Sequence, residues 1–169
     1  MNMNFIEKIK NSSITTQVIA GLIVLAIAAG ARGINKLKAL PDKEVIISNP
    51  VSGSLVGYEI KLEGSFSTKY KDSDLWLILQ PVKTPRFYPA DGPILKMKNG
   101  TWKGTIYFGS SETDAIGEEF VVFIASTSLN ASKVLKEYYQ KAINTNSWEG
   151  LTALPKNTEL HDSITLTKK

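Results

Sequence analysis

The sequence predicts a mainly-β protein: a sandwich of antiparallel strands with one inserted helix, standing behind a single transmembrane helix. Three observations carry this. An uncharged apolar run lies near the N-terminus, short strand-like segments follow one another at roughly ten-residue spacing from Glu44 onward, and strands do not alternate with helices. Behind an anchor, a chain of 169 residues leaves room for one ordinary domain large enough to bury its own core. The absence of cysteine excludes disulfides, zinc thiolate sites, iron–sulfur clusters and cysteine nucleophiles together.

Residues 1–13 form an N-terminal tail and residues 14–31, ITTQVIAGLIVLAIAAGA, the expected membrane helix. The run contains no charge and is close to the shortest length that spans a bilayer. A cleaved signal peptide is the competing reading, since a basic start and an Ala-rich end are also present. The length of the apolar run, and Arg32, Lys36 and Lys38 directly after it, favour an uncleaved single-pass anchor in the cell membrane. The basic linker 32–43 outweighs Lys8 and Lys10 on the other side, so the positive-inside tendency favours a cytoplasmic C-terminal domain over an extracytoplasmic one. Ala26 and Gly30 form a small-xxx-small pair, through which anchor helices could pack into a homo-oligomer.

The soluble domain is expected over residues 44–169. Residues 44–48 read as a first strand, closed by Asn49-Pro50. Tyr58, Ile60 and Leu62 alternate with Glu59, Lys61 and Glu63, the pattern of a strand with one buried and one wet face. Residues 74–81 and 119–125 are apolar on both faces and read as central strands. Residues 93–98 and 101–108 form a hairpin through Asn99-Gly100, with Trp102, Ile106 and Phe108 on one side. A last strand at 162–168 turns Ile164 and Leu166 inward. Residues 130–143 break the β pattern: Val134, Leu135, Tyr138, Tyr139 and Ala142 make a helical stripe, which Asn130 can cap.

Charge is informative once located. Residues 1–40 carry five basic residues against Glu7 alone, and the remainder holds fifteen of each sign. The net charge of +4 therefore belongs to the membrane flanks, and the neutral remainder argues against a nucleic-acid polymer as partner. Within the domain, residues 69–103 carry seven basic residues against three acidic ones, interleaved with Trp76, Phe87, Tyr88 and Trp102. Cations meet phosphate and aromatic faces stack on bases, so Lys83, Arg86, Phe87, Tyr88, Lys96, Lys98 and Lys103 are the candidate residues for a small anionic or nucleotide-like ligand. The loop 81–89, stiffened by three prolines, is expected to expose Arg86, Phe87 and Tyr88. The alternative is that Lys96 and Lys98 protect an edge strand, Trp76 and Trp102 fill the core, and the loop only connects.

Catalysis finds little support. His161 is the one histidine and reads as an edge residue, and no nucleophile elbow, Walker loop, dinucleotide fingerprint or zinc-protease helix occurs. Neither a cofactor nor a metal is expected.

The segments 46–56, 58–66 and 74–81, the Trp102 strand and 162–169 together resemble the immunoglobulin-like sandwich modules that prokaryotes place behind a membrane anchor. The antibody-type cysteine pair is missing, and the helix at 130–143 is an addition. The anchor SSITTQVIAGLIVLAIAAG (12–30) is similar to those of small prokaryotic membrane effectors in defence loci, including ones gated by cyclic oligonucleotides. The resemblance implies a membrane-tethered ligand-binding or sensor module that signals to its anchor helix. An extracytoplasmic interaction module binding envelope polymer or protein is the other expectation.

Overall fold

The computed structural model describes residues 44–169. The expected tail, membrane helix and basic linker, with Ala26 and Gly30, lie outside the described residues. Among the described residues, no helix is long and apolar enough to cross a membrane.

The chain is mainly β. It runs through β1 (Val45–Asn49), β2 (Leu55–Val56), β3 (Glu59–Phe66), β4 (Asp74–Pro81), β5 (Tyr88–Asp91), β6 (Leu95–Lys96), β7 (Thr101–Tyr107), β8 (Glu119–Thr127), α1 (Leu129–Thr145) and β9 (Thr158–Lys168). One turn of 3-10 helix, Thr68–Tyr70, lies between β3 and β4. The strands form a four-stranded sheet, β1-β3-β7-β6, and a five-stranded sheet, β2-β9-β8-β4-β5.

Period-two patterning builds the core between the sheets. Leu62 of β3 and Trp102 and Ile106 of β7 meet Leu75, Leu77 and Leu79 of β4, Phe120, Val122 and Ile124 of β8, and Ile164 and Leu166 of β9. Each such side chain contributes about 1.5–3 kcal/mol on leaving water. Two polar contacts link this packing to the β1 edge. The Trp102 indole Nε1–H donates to the Ile46 carbonyl at 3.1 Å, and the Ile47 N–H donates to the Asp162 carboxylate at 3.0 Å.

β4 and β8 are apolar on both faces because their second face is also covered. Trp76, Ile78 and Ala125 form a separate cluster with Leu135 of α1. Trp76 Nε1–H donates to the Ser132 hydroxyl at 3.1 Å, so the helix is placed by a polar contact as well as by apolar burial. The hairpin at Asn99-Gly100 is present, with Gly100 at φ +79°, a conformation that favours glycine.

Several boundaries differ from expectation. α1 starts earlier, because Ser128 rather than Asn130 caps it: the Ser128 hydroxyl accepts from the Ala131 N–H at 3.3 Å. Its buried side is Ala131, Ser132, Leu135 and Ala142, while Val134 is exposed and Tyr138 and Tyr139 are half-buried. The antiparallel rule fails at one edge, where β2 runs parallel to β9. Residues 53–56 exchange backbone bonds with Thr165, Thr167 and Lys169, so the outer edge of β9 is covered. β5 forms despite Pro89, since an edge strand tolerates a residue without an N–H.

Candidate functional site

The seven candidate residues are distributed over both sheets. Lys83 follows β4 and pairs with Glu118 at 3.3 Å. Arg86 is exposed and donates through Nη1 to the carbonyls of Glu149 and Gly150 at 3.1 and 3.3 Å. The two aromatics after it are half-buried, which corrects the expectation of an exposed loop. Phe87 exchanges backbone bonds with Leu151, and its ring packs against the cluster under α1. Tyr88 opens β5 and packs against the main core. Pairing with β4 draws in residues that proline content alone assigns to a loop.

The other three belong with the four-stranded sheet. Lys103 of β7 faces Glu63 of β3 in register and pairs with it at 2.5 Å. Lys98 is exposed in the hairpin turn. The Lys96 ammonium donates to the carbonyls of Tyr70, Lys71 and Ser73 at the end of the 3-10 turn. An ammonium has three N–H groups, so all of Lys96's donors are used within the chain. Burial pushes its pKa down. Exposed pairs such as Lys83–Glu118 contribute at most about 1 kcal/mol and open readily.

Glu149 and Gly150, whose carbonyls accept from Arg86, also line a small hollow of about 190 Å³ beside the C-terminal turn of α1, with Tyr138 and Lys141 in its wall. A larger one, about 390 Å³, lies at the end of the domain where β3 leads into β4 and β8 leads into α1. Tyr70 and Ser73 form one side, Ser126, Thr127 and Ser128 a second, and Asn157, Thr158 and Glu159 a third. None of the seven sequence candidates lines it, although Lys96 reaches the backbone of Tyr70 and Ser73 from outside it.

Local structure explains this polar wall. β8 continues two residues beyond its apolar run, so Ser126 and Thr127 are buried. Ser128 then turns the chain into α1 as its cap. On β9, Ile124 pairs with Asp162 and Ala125 with Leu160, leaving His161 as the extra residue of a β-bulge. The bulge brings His161 Nε2 to 2.7 Å from the Ser126 hydroxyl and sets its ring edge-on to Tyr70, with centroids 4.6 Å apart. Burial holds the imidazole pKa below its ordinary value.

Tyr70 connects the hollow to the start of the described chain. Its hydroxyl donates to the Glu44 carboxylate at 2.8 Å, and Lys69 pairs with the same oxygen at 2.7 Å. The hydrogen bond from Lys69, followed by that from Tyr70, lowers the Glu44 pKa. Among the described residues, two buried side-chain hydroxyls have no hydrogen-bond partner, those of Ser67 and Thr158, and Thr158 lines the hollow. The Thr158 hydroxyl oxygen has no accessible surface, so it stands behind the wall of the hollow rather than open to it.

Sequence reasoning missed this site because no motif carries it. The visible signals were a Ser-Thr-Ser run ending β8 and an Asn-Thr-Glu run starting β9, which are ordinary cap and turn compositions until the fold joins them. Comparison with family models, with curated proteins and with solved structures finds no match for this chain, so the reading of the site rests on its geometry.

Proposed function

We propose that the chain is a single-pass membrane-tethered binding module, an immunoglobulin-like sandwich that recognises a small polar ligand in the Tyr70–Ser126–Thr158 hollow and passes occupancy to its anchor. The immunoglobulin-like part is supported by strand order. β1-β3-β7-β6 corresponds to strands A-B-E-D, and β9-β8-β4-β5 to G-F-C-C′, with β2 a short strand beside G. The chain departs from the antibody pattern in lacking cysteines, in turning the strand-C Trp76 toward α1, and in carrying α1 between F and G.

One observation carries the binding reading. The hollow is framed by the B–C and F–G connections, which are recognition loops in immunoglobulin variable domains, and its wall is made of polar side chains from three segments. Its volume falls within the range of small-ligand sites, roughly 300–1,000 Å³. The sensor reading is supported by the Tyr70–Glu44 hydrogen bond, because the chain continues from Glu44 directly into the segment that holds the expected anchor. The charge balance of the flanks favours a cytoplasmic domain.

The test uses full-length protein recovered from membranes into lipid nanodiscs. Thermal unfolding is followed against a panel of sugars, nucleotides, amino acids and carboxylates. At least one class is expected to raise the Tm of the wild type and to fail with Asn157→Ala and Ser73→Ala. Recovery of the protein in the soluble fraction refutes the tether. A panel without any stabilisation, or with stabilisation indifferent to both variants, refutes the site.

A further inference from the structure

Resting on the membrane tether of that reading, we propose that the end of the domain around the larger hollow docks on the headgroups of anionic phospholipids. Four connections meet at this end: residues 67–73 between β3 and β4, residues 97–100 between β6 and β7, Ser128 between β8 and α1, and residues 155–157 ahead of β9. Phe66 N–H donates to the Gly100 carbonyl, Ser128 N–H to that of Asn157, and Lys96 to those of Tyr70, Lys71 and Ser73. Glu44 lies among them, since its carbonyl accepts from the Ser67 N–H at 2.7 Å and its carboxylate holds Lys69 and Tyr70. The chain therefore enters the domain at this end. The expected linker, residues 32–43, spans at most about 40 Å when fully extended, which keeps the headgroups within reach.

Charge at this end suits an anionic surface. Its ionic groups are Lys69, Lys71, Lys96, Lys98 and Lys156 against Glu44, Asp72, Asp74 and Glu159. Lys69 is paired with Glu44, and Asp74 and Asp72 lie within electrostatic reach of Lys96. Lys71, Lys98 and Lys156 are exposed and form no ion pair among the described residues, which leaves Glu159 against three free ammonium groups. Lys71 stands between Tyr70 and Ser73 in the chain and Lys156 directly before Asn157, so the hollow has a lysine beside two of its three sides. The linker adds Arg32, Lys36, Lys38 and Lys43 against Asp42. Lysines within about one Debye length of an anionic leaflet, 8–10 Å at physiological salt, are attracted to it. Leu129, at the start of α1, is 79% exposed, the highest value among the large apolar side chains of the described residues. It is placed to enter the headgroup layer as the lysines reach phosphate. The opposite end also exposes apolar residues, Val51, Leu55 and Ile116, but residues 108–118 there carry Glu112, Asp114 and Glu118 and no lysine. An anionic surface is repelled by that connection.

The test uses the full chain, which has no cysteine, with one fluorophore attached through Asn130→Cys at this end or Thr113→Cys at the other. β8 separates the two positions by about 30 Å. In nanodiscs of phosphatidylglycerol and phosphatidylcholine with nitroxide-headgroup lipid, the label at position 130 is expected to be quenched more strongly than the label at position 113. The difference is expected to shrink in phosphatidylcholine alone and at high salt. Lys71→Gln combined with Lys156→Gln, with an unchanged melt, is expected to move the docking equilibrium about tenfold toward the undocked form. Equal quenching at the two positions, stronger quenching at position 113, or quenching at position 130 that ignores lipid charge overturns the docking. A panel ligand that still raises the Tm in that case leaves the binding function standing, whereas recovery of the chain in the soluble fraction overturns the tether and the docking together.

Discussion

Removing one hydroxyl is expected to shift stability in opposite directions at two positions of this domain. Ser132 is buried between α1 and β4, and its hydroxyl accepts from the Trp76 indole N–H. Ser132→Ala leaves that donor unpaired against apolar neighbours, at a cost of about 1–3 kcal/mol. Better helix propensity returns a few tenths of a kcal/mol, so the net loss is about 1–2.5 kcal/mol. Thr158 is the converse case, because its buried hydroxyl has no partner. Thr158→Val keeps the shape, suits a strand and removes the orphan, for a gain of about 0.5–1 kcal/mol. With unfolding entropy near 2.1 cal/mol/K per residue and about 125 residues, 1 kcal/mol moves Tm by about 4 °C. Near-UV circular dichroism of the chain in nanodiscs should therefore show a fall of about 4–10 °C for Ser132→Ala and a rise of about 2–4 °C for Thr158→Val. A fall for Thr158→Val would mean that its hydroxyl has a partner after all. An unchanged Ser132→Ala would mean that the indole bond does not hold the helix.

Three further outcomes are expected. The His161 pKa is lowered on folding from an ordinary value of 6.5, so the folded state takes up its proton later than the unfolded state as pH falls. Its contribution is then fully present above pH 6.5 and lost as pH falls through the folded-state pKa; denaturant titrations from pH 8 to 5 should show this loss, and His161→Gln should flatten that part of the profile. Leu135→Ala, at a fully buried contact with Trp76 and Ile78, should cost about 2–5 kcal/mol, while Val134→Ala on the exposed side stays within about 0.5 kcal/mol; equal effects would contradict the helix orientation. Gly64→Ala should prevent a cooperative melt, because its Cβ would overlap the Ile46 carbonyl and the Trp102 ring, whereas Gly57→Ala, with open space around it, should melt near the wild type.

Much of the strand pattern was legible because burial imposes a period on the sequence. β3, β4, β7 and β8 appear where apolar residues alternate or run continuously, and the Asn99-Gly100 turn appears because few residues accept positive φ. Boundaries were harder to read. The helix start moved from Asn130 to Ser128 because both residues can cap, and packing of Ser132 and Leu135 against Trp76 chose between them. β5 was hidden by Pro89, and β2 by being only two residues long.

The candidate ligand residues illustrate a further limit. Lysine and arginine signal charge in a sequence, but the sequence does not say who answers it. Glu63, Glu118 and the carbonyls of Glu149, Gly150, Tyr70, Lys71 and Ser73 answer four of the five candidate cations within the chain: Lys103, Lys83, Arg86 and Lys96.

By itself the sequence determined the mainly-β class, the apolar faces and the helix, all of which follow from local periodicity and turn chemistry. It also carries the expectation of an anchor at residues 14–31. Only the tertiary structure decided where polar groups converge. Tyr70, Ser126 and Thr158 are far apart along the chain and have no shared spacing. They meet because β8 pairs with both β4 and β9, because a bulge turns His161 onto Ser126, and because the β3–β4 connection places Tyr70 against that histidine. Contacts of this kind are set by sheet register and by which groups remain unpaired after folding, and neither leaves a local trace in the order of residues.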